Sequence, residues 1–163
     1  MSATAPLPPS ERSRVGRGLT AAAARGCFEL QVCTECGRVQ YPPREACHHC
    51  LSVELKWQPQ SGKGELISET RLHHSYEAYF RNRLPWRLGM VRLDCGPTLI
   101  THLHASVLPA PCRVRIVARL DHSGQAALVA IPEGPETGER AVDMSGDPHL
   151  QELTCDPGQG EPR

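Results

Sequence analysis

Two C-x-x-C pairs, Cys33-Thr34-Glu35-Cys36 and Cys47-His48-His49-Cys50, stand ten residues apart and constrain this chain more than any other feature. A hairpin knuckle built on C-x-x-C aims both sulfurs at one point, and two knuckles complete a tetrahedron around a metal ion. Gly37, directly after the first pair, lets the backbone turn tightly and present N–H groups to the sulfurs. Four thiolates leave Zn²⁺ no open coordination position. The expectation is therefore one structural zinc per chain on Cys33, Cys36, Cys47 and Cys50, with iron in the same geometry as an open alternative. A redox dithiol normally opens a helix, whereas these pairs flank turns. His48 and His49 are expected on the second knuckle as exposed residues, not ligands. Cys27, Cys95, Cys112 and Cys155 lack ligand spacing and read as ordinary thiols.

Eight cysteines without an apolar signal core in Met1–Ser10 point to a reducing compartment, so a cytoplasmic protein is expected. No stretch approaches the roughly 20 apolar residues that span a bilayer. The formal charge is zero, but residues 132–163 hold eight acidic residues against two arginines, a balance of −6 that leaves +6 on the rest. A mildly basic body suits an anionic partner: nucleic acid, a phosphorylated cofactor or an acidic protein.

Along the chain, residues 1–18 are rich in Pro, Ser and Arg and are expected to be disordered. Residues 19–58 should hold a short helix, with Thr20 capping Ala21–Ala24 and Gly26 stopping it, followed by the zinc ribbon. Residues 59–131 change to strand periodicity. Gly64–His74 places Leu66, Ser68, Thr70 and Leu72 on one face, and Leu88–Leu93, Thr98–His104, Arg113–Leu120 and Ala126–Ile131 supply four further runs. Turns at Asp94-Cys95-Gly96-Pro97 and Asp121-His122-Ser123-Gly124 separate them. Five short strands in about 70 residues fit a small closed barrel better than an open sheet. Residues 132–163 are acidic and aperiodic and are expected to be a disordered tail.

The connection between the first two strands, residues 75–87, concentrates Tyr76, Tyr79, Phe80 and Trp86 among Arg81, Arg83 and Arg87 in a chain with seven aromatics altogether. Aromatic faces stack on bases and arginine forks clamp phosphates. Tyr79, Phe80, Arg81, Arg83, Trp86 and Arg87 are thus the candidate ligand or partner contacts. The competing reading has the aromatics pack the ribbon on the barrel while the arginines stay solvated. His73, His74, His102 and His104 could furnish acid–base chemistry. No nucleophile motif or carboxylate pair accompanies them, so the chain is not expected to be an enzyme.

The ordered motifs carry a resemblance. C-x-x-C-G, Tyr41-Pro42-Pro43-Arg44, the second C-x-x-C, Trp57, Ser61-Gly62-x-Gly64 and Pro85–Gly96 together resemble the zinc-ribbon/OB-fold family once called domain of unknown function 35, from about Thr20 to Ile131. Tryptophan at 86 and the Ala110-Pro111 segment depart from the family's pattern. The resemblance implies a small, mainly-β chain: a rubredoxin-like zinc ribbon followed by a five-stranded OB-fold barrel. It also implies a non-catalytic accessory or bridging subunit that docks on a thiolase or lipid-transfer-type thiolase homologue in lipid or steroid metabolism, with acyl-CoA as a candidate ligand. A ribbon–OB module for single-stranded nucleic acid is the alternative, which composition favours and the ordered motifs do not.

Overall fold

The computed structural model describes residues 6–11, 13–134 and 146–155. A 3-10 turn at Arg14–Gly16 leads into α1 (Arg17–Ala24). The ribbon follows: β1 (Glu29–Cys33), β2 (Val39–Gln40) and β3 (Leu55–Pro59) form an antiparallel sheet ordered β2-β1-β3. Then come β4 (Lys63–Leu72), α2 (Ala78–Arg81), β5 (Trp86–Leu93), β6 (Thr98–Leu103), β7 (Cys112–Leu120) and β8 (Ala126–Pro132). The five strands close a barrel in the order β4-β5-β6-β8-β7, and α3 (Pro148–Leu153) packs outside it. A zinc-ribbon sheet followed by a five-stranded OB-type barrel, mainly β with a short N-terminal helix, is thus the fold.

Each barrel strand follows its apolar period. Along β7, Val114, Ile116 and Ala118 point inward while Arg113, Arg115 and Arg119 point away. β8 is buried from Ala126 to Ile131 because both its faces are covered. Ala126, Leu128 and Ala130 join the interior with Leu66, Val91, Leu99 and Leu103, whereas Ala127, Val129 and Ile131 lie in a second cluster beneath α3. A continuous apolar run marks a strand with no solvent face. The barrel closes weakly between β6 and β8, which pair only at His102↔Val129 and Leu103↔Ala130. The Thr101 hydroxyl reinforces the junction by donating to the Leu128 carbonyl at 2.7 Å.

Three expectations change. β4 does not keep one apolar face: a bulge between Leu66 and Ser68 sets Leu66 opposite Val91 inside but Ser68 opposite Met90 outside. A single inserted residue reverses the alternation beyond it. The N-terminal helix begins at Arg17, inside the stretch expected to be disordered, because Leu19, Ala22 and Ala23 find burial against the barrel and ribbon. Thr20 does not cap it; its hydroxyl bonds Gln125 and accepts from the Ala126 N–H. Gly26 does end it at φ 72. Finally, residues 148–153, in the expected disordered tail, are helical, with Leu150 and Leu153 buried. Pro148 at the first helical turn and the Asp147 side chain, which accepts from the N–H groups of His149 and Leu150, start that helix. Residues 1–5, 12 and 135–145 of the two expected disordered stretches lie outside the described residues, as do 156–163.

Candidate metal centre and the aromatic loop

The two cysteine pairs sit on matching turns. In the first, the Gly37 N–H donates to the Cys33 carbonyl at 2.8 Å and the Cys33 N–H to Arg38 at 2.9 Å. In the second, Leu51 N–H donates to Cys47 at 3.0 Å and Cys47 N–H to Ser52 at 2.8 Å. Gly37 takes φ 71 and Leu51, its counterpart, takes φ 63. The second knuckle therefore accepts a left-handed leucine, a conformation that costs about 1–2 kcal/mol outside glycine.

These turns bring the sulfurs of Cys33, Cys36, Cys47 and Cys50 within 4.8 Å of one another. Cys33 Sγ lies 3.5 Å from Cys50 Sγ, and Cys36 Sγ lies 3.6 Å from Cys47 Sγ. A tetrahedron with metal–sulfur bonds of about 2.3 Å has edges of about 3.8 Å, so the cage accommodates Zn²⁺ with little adjustment. The backbone favours thiolate in both pairs. The Cys36 N–H holds Cys33 below the usual thiol range, and the Cys50 and His49 N–H groups bring Cys47 down to about 6. For Cys50 the Ser52 N–H pulls downward, but desolvation and the three neighbouring sulfurs push it up to about 12. At Cys36 the Arg38 N–H pulls downward as well, but loss of solvent and side-chain hydrogen bonding with Cys47 and Cys33 leave the thiol raised. Four crowded sulfurs resist common ionisation unless a cation sits among them, which is the donor chemistry of a metal site.

Behind the sulfurs runs a polar network that the sequence did not reveal. Gln40, 2% exposed, donates to Gln31 Oε1 at 3.0 Å, and the Arg44 N–H donates to the same oxygen at 2.8 Å. Gln40 Oε1 accepts from the His48 backbone at 3.1 Å and lies 3.2 Å from His48 Nδ1. His48 is thereby held away from the sulfur cluster, and His49 is not part of it either. Two glutamines in β-strands of a ribbon carry no distinguishing pattern; only their burial marks them.

The aromatic loop turns two of its rings, Tyr79 and Trp86, inward. Tyr79 and Trp86 are 3% exposed and belong to the cluster with Val129, Ile131, Leu150 and Leu153. Phe80 meets Trp86 edge-on at 5.0 Å and Tyr79 at 5.1 Å. Trp86 Nε1 donates to His102 Nδ1 at 2.8 Å. The Tyr79 hydroxyl, its pKa raised by burial, donates to the Glu152 carbonyl at 2.7 Å. These aromatics join the barrel to α3, not to the ribbon. Of the loop's four, Tyr76 is the one left open, at 89% exposed.

Two of the three arginines are occupied. Arg83 stacks over the Tyr79 ring at 4.0 Å and pairs with Glu152 at 2.7 Å. Arg87 pairs with Glu69 at 2.7 Å and reaches the carbonyls of Val107 and His104, while its buried Nε has no partner among the described residues. Arg81 is exposed and donates to the Tyr76 carbonyl. Stacking surfaces for bases are thus missing at Tyr79 and Trp86. Arg87 does line a cleft of about 310 Å³ with Arg71, Pro85, Trp86, Leu103 and Leu150. Of the four histidines weighed for acid–base chemistry, His102 is taken by Trp86, and His104 is 7% exposed beside Ser106. His73 and His74 are exposed just past the end of β4, and the Ser106 hydroxyl is hydrogen-bonded to one of the four, at 2.7 Å from His104 Nδ1.

Comparison with known proteins places these features in a family. Residues 20–55 match the ChsH2 rubredoxin-like zinc ribbon domain, and residues 57–125 match the ChsH2 C-terminal OB-fold domain. None of the curated proteins matches. Among solved structures, one described as an Ltp2-ChsH2(DUF35) aldolase superposes with a TM-score of 0.62 at 22% identity, covering 74% of this chain and 96% of its own. A DUF35 protein of unknown function from Sulfolobus solfataricus gives 0.49 at 16% identity, covering 73% and 87%.

Proposed function

Since the chain belongs to the zinc-ribbon/OB-fold family formerly called domain of unknown function 35, we propose that it is a non-catalytic accessory subunit of a thiolase-like, acyl-CoA-processing enzyme. One observation carries the reading. Both ChsH2-type domains follow one another in a single chain, and a structural neighbour of that architecture is described together with Ltp2 in an aldolase. The catalytic centre then belongs to the partner, and this chain supplies a docking body in the cytoplasm.

In this reading Cys33, Cys36, Cys47 and Cys50 hold one Zn²⁺, which supplies folding energy to the ribbon. The ion would join the two knuckles, and Gln31 and Gln40 tie the second knuckle to β1 and β2. A saturated four-sulfur shell leaves substrate no coordination position. The cleft beside α3, lined by Arg71, Arg87, Trp86, Leu103, Asp147 and Leu150, is the candidate contact for acyl-CoA, with Arg71 as its candidate phosphate contact. Arg81, the exposed arginine of the loop, is the candidate contact with the partner.

Reconstitution tests this. The full chain, mixed with a thiolase-type enzyme from the same cell, should co-migrate as a stable complex, and acyl-CoA turnover should appear with the partner and be absent from the chain alone. Calorimetric titration with coenzyme A and with a short oligonucleotide separates acyl-CoA binding from the nucleic-acid alternative. Tight, sequence-tolerant oligonucleotide binding without response to any thiolase would overturn the proposal.

A further inference from the structure

The far half of β4 is an open sheet edge. Lys63–Leu66 pairs with β7 at Cys112–Arg115, and after the bulge Ser68–Leu72 pairs only with β5 among the described residues. Residues 68–74 are all exposed, and no other backbone hydrogen bond engages them among the described residues. An unpaired edge of this length is a template for another strand.

The side chains along that edge say which strand fits. Arg71 stands directly opposite Arg87 across β4 and β5, a like-charge pair that costs stability in a sheet. Arg87 is compensated by Glu69 at 2.7 Å, but the Arg71 guanidinium has no partner among the described residues. A strand added to the edge would answer this by placing an acid opposite Arg71. The sequence Ser68-Glu69-Thr70-Arg71-Leu72 does so for itself. Laid antiparallel on a second copy about a two-fold axis through Thr70, Glu69 faces Arg71 of the other copy, and Arg71 faces its Glu69.

We propose that Ser68–Leu72 pairs with the same segment of a second copy of this chain, joining two barrels through a continuous β5-β4-β4-β5 sheet. On the mouth side, each Arg71 then lies between Arg87 of its own chain and Glu69 of the other. On the outer side, Thr70 meets Thr70, and Leu72, 38% exposed, comes beside the row of Met90, 40% exposed, through Ser68. The interface is isologous, as two-fold contacts must be. Charges commonly guard an edge against pairing. Here they select antiparallel self-pairing, since a parallel arrangement would stack like on like. Five residues bury far less than the roughly 1,200–2,000 Å² of a standing interface, so the dimer is concentration-dependent. The inference does not rest on the proposed enzyme partner, although the pairing engages Arg71, which also lines the cleft beside α3.

Sedimentation equilibrium on the zinc-loaded full chain, from low micromolar to near-millimolar, tests it. The wild type should move from 17.9 kDa toward twice that mass. Arg71→Glu sets acid against acid between copies while gaining Arg87 as a neighbour within its own chain, so it should fold and stay monomeric throughout the range. The double exchange Glu69→Arg with Arg71→Glu restores complementarity and keeps an acid for Arg87, so it should dimerise again. A wild type that remains monomeric, a dimer unaffected by Arg71→Glu, or a folded double exchange that stays monomeric would each overturn the proposal.

Discussion

Helix α3 covers the aromatic cluster, and removing its two anchors should uncover that cluster. Leu150 and Leu153 are 2% and 1% exposed and pack on Trp86, Tyr79 and the outer face of β8. Truncating one buried leucine to alanine costs about 2–5 kcal/mol where the site cannot collapse. A six-residue helix can instead detach, which sets a ceiling on the total loss. Leu153→Ala alone should therefore cost about 2–3 kcal/mol, and Leu150→Ala added to it should cost less than it would alone. The first change should lower the melting temperature by about 5–10 °C for a domain of this size. Trp86 reports the event: its indole N–H bonds His102 and its ring meets His149 edge-on at 5.4 Å. In a Trp57→Phe background, the double variant should shift Trp86 emission to the red and expose residues 148–153 to protease. Unchanged emission and an unchanged melting temperature in the double variant would refute the reasoning, because the cluster would then stand without α3.

Zinc analysis should find one ion per chain, and Cys33→Ser or Cys47→Ser should abolish it and open the ribbon to proteolysis; a native protein without bound metal would contradict this. Gly62→Ala should destabilise by at least about 1–2 kcal/mol by its left-handed conformation alone, and further because the new methyl would overlap the Ile116 carbonyl, as a denaturation midpoint will show. Hydrogen bonding from Arg113 holds the Asp94 carboxyl below its ordinary value, so this pair stabilises the fold at pH above that value and loses its effect as pH falls through the lowered one. The difference in denaturation midpoint between wild type and Asp94→Asn should accordingly be present above about pH 4 and vanish on further acidification. Arg83→Ala should destabilise the fold through loss of the Glu152 pair and the Tyr79 stack, whereas Arg81→Ala should leave the melting temperature unchanged.

How much of this was legible in the sequence depends on the range of the signal. The cysteine spacing is local, and the sulfurs of the four converge. Strand periodicity is local too, and Arg113–Leu120 reads directly into β7. The bulge at Ile67 was hidden because Leu66, Ser68, Thr70 and Leu72 alternate well on paper, and only pairing with β5 reveals the slip. Helix α3 was hidden because six residues cannot form an autonomous helix; its stability comes from a distant apolar face on β8. The same distance hid the role of Tyr79 and Trp86. Their density in one loop signalled importance, but composition could not say that Leu150 and Leu153, some seventy residues away, would cover them.

The reading of the chain as a partner's subunit meets its most direct test in its own cell. A tagged full chain expressed at native level and purified gently, with co-eluting proteins quantified by mass spectrometry, should bring down a thiolase-like enzyme in near-equimolar amount. A chain that elutes with no thiolase-type protein, and that by itself converts an acyl-CoA, would contradict the account.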